Sequence, residues 1–173
     1  STHIGFRMAP RINAAGRIAD PSIALTALLK GDESLKRLHT LNDERKITTE
    51  EMMKIGKNIT NKNAPLCIAK SPAFHPGIIG LIAGKLTEEF GKPSIVCSEA
   101  GNTITCSLRA VPQYNIANAL RRCAWFLTTY GGHKMAGGCT LHKSDWREFS
   151  EKLLADAAET LDQENLVPTL AID

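Results

Sequence analysis

The chain is poor in aromatic residues. Phe, Trp and Tyr make up 5% of its 173 residues, so the core must be mostly aliphatic and base stacking is limited in this part of the molecule. It has no CxxC pair: Cys67, Cys97, Cys106, Cys123 and Cys139 are odd in number and scattered. That pattern argues against zinc ligation and against a disulfide framework. Cys67 and Cys97 lie in apolar, strand-like runs, where a thiol behaves as a small hydrophobe. The usage fits a reducing, cytoplasmic setting. No apolar run approaches the length of a membrane span, and no signal peptide opens the chain. His3, His39, His75, His133 and His142 have no carboxylate partners at ligand spacing. No Ser-His-Asp or Cys-His arrangement is recognisable. Acids are missing from the first 19 residues, which carry Arg7, Arg11 and Arg17. This excess suits contact with a polyanion, and it equally suits a solvated basic start. The net charge of +3 does not by itself imply a nucleic-acid partner.

What the chain does have is glycine in one place. In GGHKMAGG, Gly131 to Gly138, four glycines and an alanine surround His133, Lys134 and Met135. Glycine weakens helices and strands, so such a string marks a sharp turn or a close approach. Glycine-rich turns present N–H groups that suit phosphate oxygens, while His133 and Lys134 add a donor and a positive charge. The string reads as a cradle for a nucleotide phosphate or base, or as a tight turn between a helix and a strand.

The 43% hydrophobic share is enough for a real core. Asp20-Pro21-Ser22 starts a helix that Gly31-Asp32 breaks. Leu35, Leu38, Leu41, Ile47, Met52, Ile55 and Ile59 then recur at mostly three- and four-residue steps, predicting an amphipathic helix of about 28 residues ending near Asn61. Pro65 opens a second region. Strands are expected over 66–69, 94–98 and 103–109, the last two paired about a turn at Ala100-Gly101-Asn102. Helices are expected over 76–90, with Pro76 in the first turn, over 116–126, and from a Ser144 cap to about Leu161. A short strand should follow the glycine string through Cys139, Thr140 and Leu141. Strands alternating with helices give an α/β fold: a helical bridging segment over 1–64, then a small mixed-sheet α/β domain over 65–165 with helices packed on the sheet. Gly80 to Lys85 echoes a phosphate loop but has one residue too few between its glycines, and Leu86 stands where Ser or Thr is required.

Four segments together resemble the RecJ family of single-strand-specific exonucleases, within the DHH phosphoesterase superfamily. They are FRMAPRINAAGRIADPS from Phe6 to Ser22, FHPGIIGLIAGKL from Phe74 to Leu86, CSLRAVPQYNI from Cys106 to Ile116, and GGHKMAGG itself. The last is similar to the glycine-glycine-histidine motif of the DHH-associated C-terminal domain. Cys106 and Ala110 depart from the glycine and serine usual in the family. The resemblance implies a metal-dependent enzyme of DNA repair and recombination that hydrolyses single-stranded DNA from 5′ to 3′. Mn²⁺ or Mg²⁺ would be held by an N-terminal catalytic domain, since neither Asp-x-Asp nor Asp-His-His occurs here. On this reading the chain is an excised piece, inactive alone, with no catalytic residue and no metal ligand. Residues 166–173 would begin a following oligonucleotide-binding barrel. The expected partners are single-stranded DNA, the N-terminal catalytic domain and single-strand-binding protein, with no membrane.

The substrate-binding candidates are Arg11, Asn13, Arg17, His75, Ser107, Arg109, Gly131, Gly132 and His133. Arg11, Asn13 and Arg17 would lie in a loop against the strand, or pair with acids of the catalytic domain. His75 would meet an anion at a helix start, or cap its turn. Arg109 would grip phosphate in forked geometry, and His133 with Gly131 and Gly132 would hold the terminal nucleotide. Other roles stay open: a phosphodiesterase of short oligonucleotides or cyclic dinucleotides, a non-catalytic replication scaffold, or a domain that only packs on its neighbour.

Overall fold

The computed structural model describes residues 3–31 and 33–161. The proposed beginning of a barrel at 166–173 lies outside them. The chain divides into two compact units, Ser1–Met52 and Met53–Asp173.

In the first unit a π-helical turn, Ile4–Met8, leads into α1 (Ala9–Ile18), and α2 (Ser22–Lys30) follows. The Asp20 carboxylate accepts the Ser22 N–H at 2.8 Å, which satisfies an amide at the start of α2. Ala14, Ala15, Ala24, Ala27, Leu38 and Leu41 form its core. Small alanines let the helix backbones come close. Helix α3 (Glu33–Ile59) is 27 residues long, close to the length its periodicity predicts. The basic segment expected as a loop is helical instead. Pro10 is tolerated in the first turn of α1, and Ala14 and Ala15 favour helix and bury completely.

The second unit holds a five-stranded sheet in the order β1-β2-β3-β5-β4. The strands are β1 (Cys67–Ser71), β2 (Ser94–Ala100), β3 (Thr103–Arg109), β4 (Thr129–Gly132) and β5 (Ala136–His142). Only β1 and β2 are parallel, joined through α4 (Ile79–Phe90); the other pairs are antiparallel. Helix α4 covers one face over β2 and β3. Two hydroxyls fix it there: Ser94 donates to the Ala83 carbonyl at 2.6 Å and lies 2.8 Å from the Thr87 hydroxyl. Helices α5 (Ile116–Arg122) and α6 (Trp146–Thr160) cover the other face. Alternation along the strands sends Ile95 and Cys97, Ile104, Cys106 and Leu108, and Cys139 and Leu141 into that core, where they meet Ile116, Leu120, Phe149 and Leu153. Buried Tyr114 donates to Asp156 at 2.8 Å, and Arg122 holds the same carboxylate. Burial alone would raise the Asp156 pKa, but the hydrogen bonds from Arg122 and Tyr114 outweigh it and hold it below the ordinary value.

Several sequence expectations need correction. Helix α4 begins at Ile79 rather than Pro76, because the Ile78 N–H closes a turn onto the His75 carbonyl at 2.9 Å. Helix α5 ends at Arg122, and a 3₁₀ turn, Ala124–Phe126, follows. Ser144 does not cap α6, which emerges from a 3₁₀ turn over Lys143–Asp145. The glycine string connects two strands and contributes to both. A disulfide is also present. The β2–β3 register sets Cys97 opposite Cys106, both facing inward, and their sulfurs are bonded.

Candidate nucleic-acid interface

Strand β3 carries Thr103, Thr105, Ser107 and Arg109 on the face away from the α5–α6 core. Helix α4 shelters the Arg109 end. There Arg109 donates to its neighbour's carbonyl, Leu108 O, at 2.7 Å and to Ser107 Oγ at 3.3 Å. The guanidinium lies against the first turn of α4 at Gly80. A Cβ on Gly80 would stand 3.1 Å from Ser107 Oγ and 3.2 Å from Arg109 Nη2. A hydroxyl, a guanidinium and the positive end of a helix dipole therefore converge where glycine leaves room. That combination suits a phosphate. Sequence reasoning singled out Ser107 and Arg109 but not Gly80, which it carried within the Phe74–Leu86 segment and a failed phosphate loop without assigning it a role.

His75 sits in the turn before α4 and is exposed. Its Nδ1 accepts the Gly77 N–H at 3.1 Å, so the neutral ring carries its proton on Nε2. The capping role is thus real, and it orients a ring donor beside the start of α4.

The glycine string forms the hairpin β4–β5. Its turn closes by the His133 N–H donating to the Ala136 carbonyl at 2.8 Å, so that amide is not offered to a ligand. The Lys134 carbonyl accepts from Ile116 N–H and the Met135 carbonyl from Ala110 N–H, each at 3.0 Å, which fixes the tip against the chain leaving β3. The glycines have different reasons. Gly132 has φ 149° and a Cβ there would lie 2.5 Å from the Ala136 carbonyl oxygen. A Cβ on Gly137 would lie 2.6 Å from Ile116 Cγ2. Gly131 differs, because a Cβ there would meet nothing within 4 Å. Among the described residues nothing requires glycine at that position.

Gly131 lines an open groove of about 370 Å³ with Gly138, Thr105, Thr129 and Thr140, a volume within the range of small-ligand sites, roughly 300–1,000 Å³. On the sheet, Ser107 pairs with Gly138 and Gly138 with Gly131, while Thr105 pairs with Thr140 and Thr140 with Thr129. The groove floor thus continues from the Ser107 row to a row of three threonines. Those threonines escaped the sequence reading, because pairing across three strands is not written in any one segment. The exposed His133 side chain stands at the hairpin tip.

The remaining candidates lie in the first unit, on α1. Arg11 Nε donates to His39 Nδ1 at 2.9 Å, and its guanidinium also holds the Arg7 carbonyl. Asn13 is exposed and Arg17 half-buried. Among the described residues no three His, Cys, Asp or Glu side chains group so as to hold a metal ion. Among those residues, no helix is long and apolar enough to cross a membrane.

The chain is similar to known proteins along nearly all its length. The single-stranded-DNA-specific exonuclease RecJ of Bacillus subtilis is 32% identical over 98% of this chain, which spans 23% of that protein. The crystal structure of RecJ with Mg²⁺ from Thermus thermophilus superposes with a TM-score of 0.83 at 30% identity, over 92% of this chain and 26% of that one. A crystal structure of exonuclease RecJ bound to manganese gives a TM-score of 0.84 at 29% identity, over 95% of this chain and 43% of that one. The chain thus spans about a quarter of the curated relative's length. The DHHA1 domain family matches residues 63–164, which encloses the whole sheet, the Ser107–Arg109 end and the glycine hairpin. The chain therefore belongs to the DHHA1 domain family, in the form that RecJ proteins carry.

Proposed function

We propose that this chain is the substrate-holding part of a metal-dependent 5′-to-3′ exonuclease of single-stranded DNA. The observation that carries this reading is the convergence of Ser107 and Arg109 on Gly80, at the start of α4 and the head of the glycine–threonine groove. Arg109 and Ser107 bind a backbone phosphate. His75 donates from Nε2 to the same anion. Gly131, with no side chain over the groove, lets a sugar or base lie close to the strand, Gly132 shapes the turn behind it, and His133 closes over the terminal nucleotide. Arg11, Asn13 and Arg17 meet the strand on its way to the catalytic domain, which holds Mn²⁺ or Mg²⁺ and carries out hydrolysis. Single-strand-binding protein is a further partner in this reading. The similar RecJ structures that contain Mg²⁺ and manganese support the metal part of this reading.

The test is fluorescence anisotropy of a 5′-phosphorylated single strand, beside a duplex, with wild type, Arg109→Ala and His133→Ala, each checked for folding. Preference for the single strand, lost in both folded variants and weakened by salt, supports the reading. Binding indifferent to both changes refutes it. Nuclease activity that stays with the pure chain would also refute the division of labour.

A further inference from the structure

Each strand of the sheet contributes one hydroxyl to a single row. Ser71 pairs with Ser98, Ser98 with Thr105, Thr105 with Thr140 and Thr140 with Thr129, so all five residues share the face away from the α5–α6 core. The two ends of the row are used differently. Ser71 Oγ accepts the Ala73 N–H at 3.1 Å and Ser98 donates to the Phe74 carbonyl, which pins the segment leading into His75 at the β1–β2 end. The three threonines continue the row on β3, β5 and β4. Thr48, Thr49, Thr60 and Thr160 each donate a hydroxyl to a backbone carbonyl. Among the described residues the hydroxyls of Thr105, Thr129 and Thr140 instead have no partner in the chain, and all three residues line the open groove.

The adjoining row sets the spacing. Ser107 fills its β3 position, while Gly138 and Gly131 leave the β5 and β4 positions bare. A phosphate at Ser107 and Arg109 therefore has an open floor beside it, about 9.5 Å across two strand spacings, on which a sugar can rest. Beyond that floor the hydroxyls begin again. Thr105 lies about 6.7 Å from Ser107 along β3, and Thr140 about 7–8 Å away on the diagonal. Either interval is comparable to one step of an extended nucleic-acid backbone. Among the described residues no Lys, Arg, Asp or Glu lines the groove, so its donors are neutral. A hydroxyl turns its proton to suit the acceptor, and these three can do so without breaking a bond inside the protein.

We propose that Thr105, Thr140 and Thr129 form a second phosphate subsite, which takes the phosphodiester that follows the first nucleoside of the single strand. The inference rests on the proposed function, whose first phosphate, at Ser107 and Arg109, sets the register. Thr140 is the central donor and its two neighbours flank it. Hydrogen bonds to an anion are stronger than those between neutral groups, so the subsite adds affinity and fixes the strand's register. Threonine neutralises no phosphate charge, so the subsite adds nothing to the salt dependence that cationic side chains bring.

Competition against a fluorescein-labelled single strand compares three ligands. A 5′-phosphorylated mononucleotide carries the first phosphate only, and a 5′-phosphorylated dinucleotide carries both. The third is the same dinucleotide with an uncharged methylphosphonate linkage. Wild type should bind the natural dinucleotide about tenfold more tightly than either of the others, the worth of a hydrogen bond to a charged group. Thr140→Val keeps the side chain's shape and strand propensity but removes the hydroxyl. It should abolish most of that gain and leave the mononucleotide unchanged. For a 5′-phosphorylated dodecanucleotide, the slope of log affinity against log salt should stay at its wild-type value in Thr140→Val and flatten by about one in Arg109→Ala. Where Thr140→Val melts early, Thr105→Val with Thr129→Val makes the same comparison. A methylphosphonate dinucleotide that binds as tightly as the natural one gives the contact to sugar or base and overturns the proposal. Equal losses for mononucleotide and dinucleotide in the valine variants, the mark of a disturbed strand, also overturn it. Arg109→Ala separates the two levels. A mononucleotide weakened by that change, with the valine variants silent on the dinucleotide, defeats the second subsite alone. A mononucleotide that wild type does not bind, or one indifferent to Arg109→Ala, defeats the underlying site.

Discussion

Replacing Gly80 by alanine should separate stability from binding. The substitution adds one carbon, 3.1 Å from Ser107 Oγ and 3.2 Å from Arg109 Nη2. Those contacts are closer than carbon normally comes to either atom, so something must shift by a few tenths of an ångström. Backbone does not obstruct the new atom, and the Arg109 fork can swing away. Alanine in place of a helical glycine gains at most about 1 kcal/mol, and the crowding consumes part of that. The melting temperature should therefore barely change, in either direction. Binding should respond differently. A hydrogen bond to a charged group contributes roughly 1.5–3 kcal/mol, and a displaced fork loses one of two such bonds to phosphate. About 1.4 kcal/mol is tenfold, so affinity for a 5′-phosphorylated single strand should drop at least about tenfold. Anisotropy titration beside thermal melts reads both quantities on the same sample. Unchanged affinity in a folded Gly80→Ala chain, where Arg109→Ala does bind more weakly, would refute the idea that the Arg109 pose over Gly80 is the binding pose.

The hairpin glycines should divide in the same way. Gly137→Ala drives a methyl against Ile116 and Leu120 and should cost about 1–3 kcal/mol by overpacking, read from urea midpoints, whereas Gly131→Ala should leave stability within about 0.5 kcal/mol yet weaken strand binding. Equal stability losses would contradict this assignment. Hydrogen bonds from Lys143 and Lys70 hold the Glu99 carboxyl down to about 2. A depressed folded pKa gives stability that is whole above the ordinary carboxylate value, about 4.3, and is lost as pH falls toward 2. Wild type should therefore lose more stability than Glu99→Gln over that interval, and parallel acid curves would count against the pairing. Denatured without reductant, the chain should show three reactive thiols, those of Cys67, Cys123 and Cys139; five would mean that Cys97 and Cys106 are not joined.

The sequence made some elements plain because their signals are local. Leu35 through Ile59 announces α3 by its own periodicity. Ile104, Cys106 and Leu108 alternate around Ala100-Gly101-Asn102, so the β2–β3 hairpin and its inward face were readable, as were Ser107 and Arg109 on the other face. Other features depend on partners remote in sequence. Thr129-Tyr130-Gly131-Gly132 has little strand propensity, and only pairing with β5 makes it β4. The Cys97–Cys106 bond needed the register, not the cysteine count. His75 opens a turn, closed by Ile78, that the Pro76 rule would have placed inside a helix. Arg11, Asn13 and Arg17 read as a loop because Pro10 and Gly16 punctuate them, yet buried Ala14 and Ala15 favour a helix. The distinct duties of Gly131, Gly132 and Gly137 could not be told apart in a string where all three look alike.

The hairpin tip is tied to the body of the domain through main chain alone. The carbonyls of Lys134 and Met135 hold the amides of Ile116 and Ala110, and the His133 amide closes the turn on Ala136. No side chain from 133 to 135 takes part in these bonds, and all three are exposed. The loop works as a jig whose shape does not depend on what is mounted on it. Residues 133–135 can be exchanged, and a new specificity tried, while the frame that aims them stays where it is.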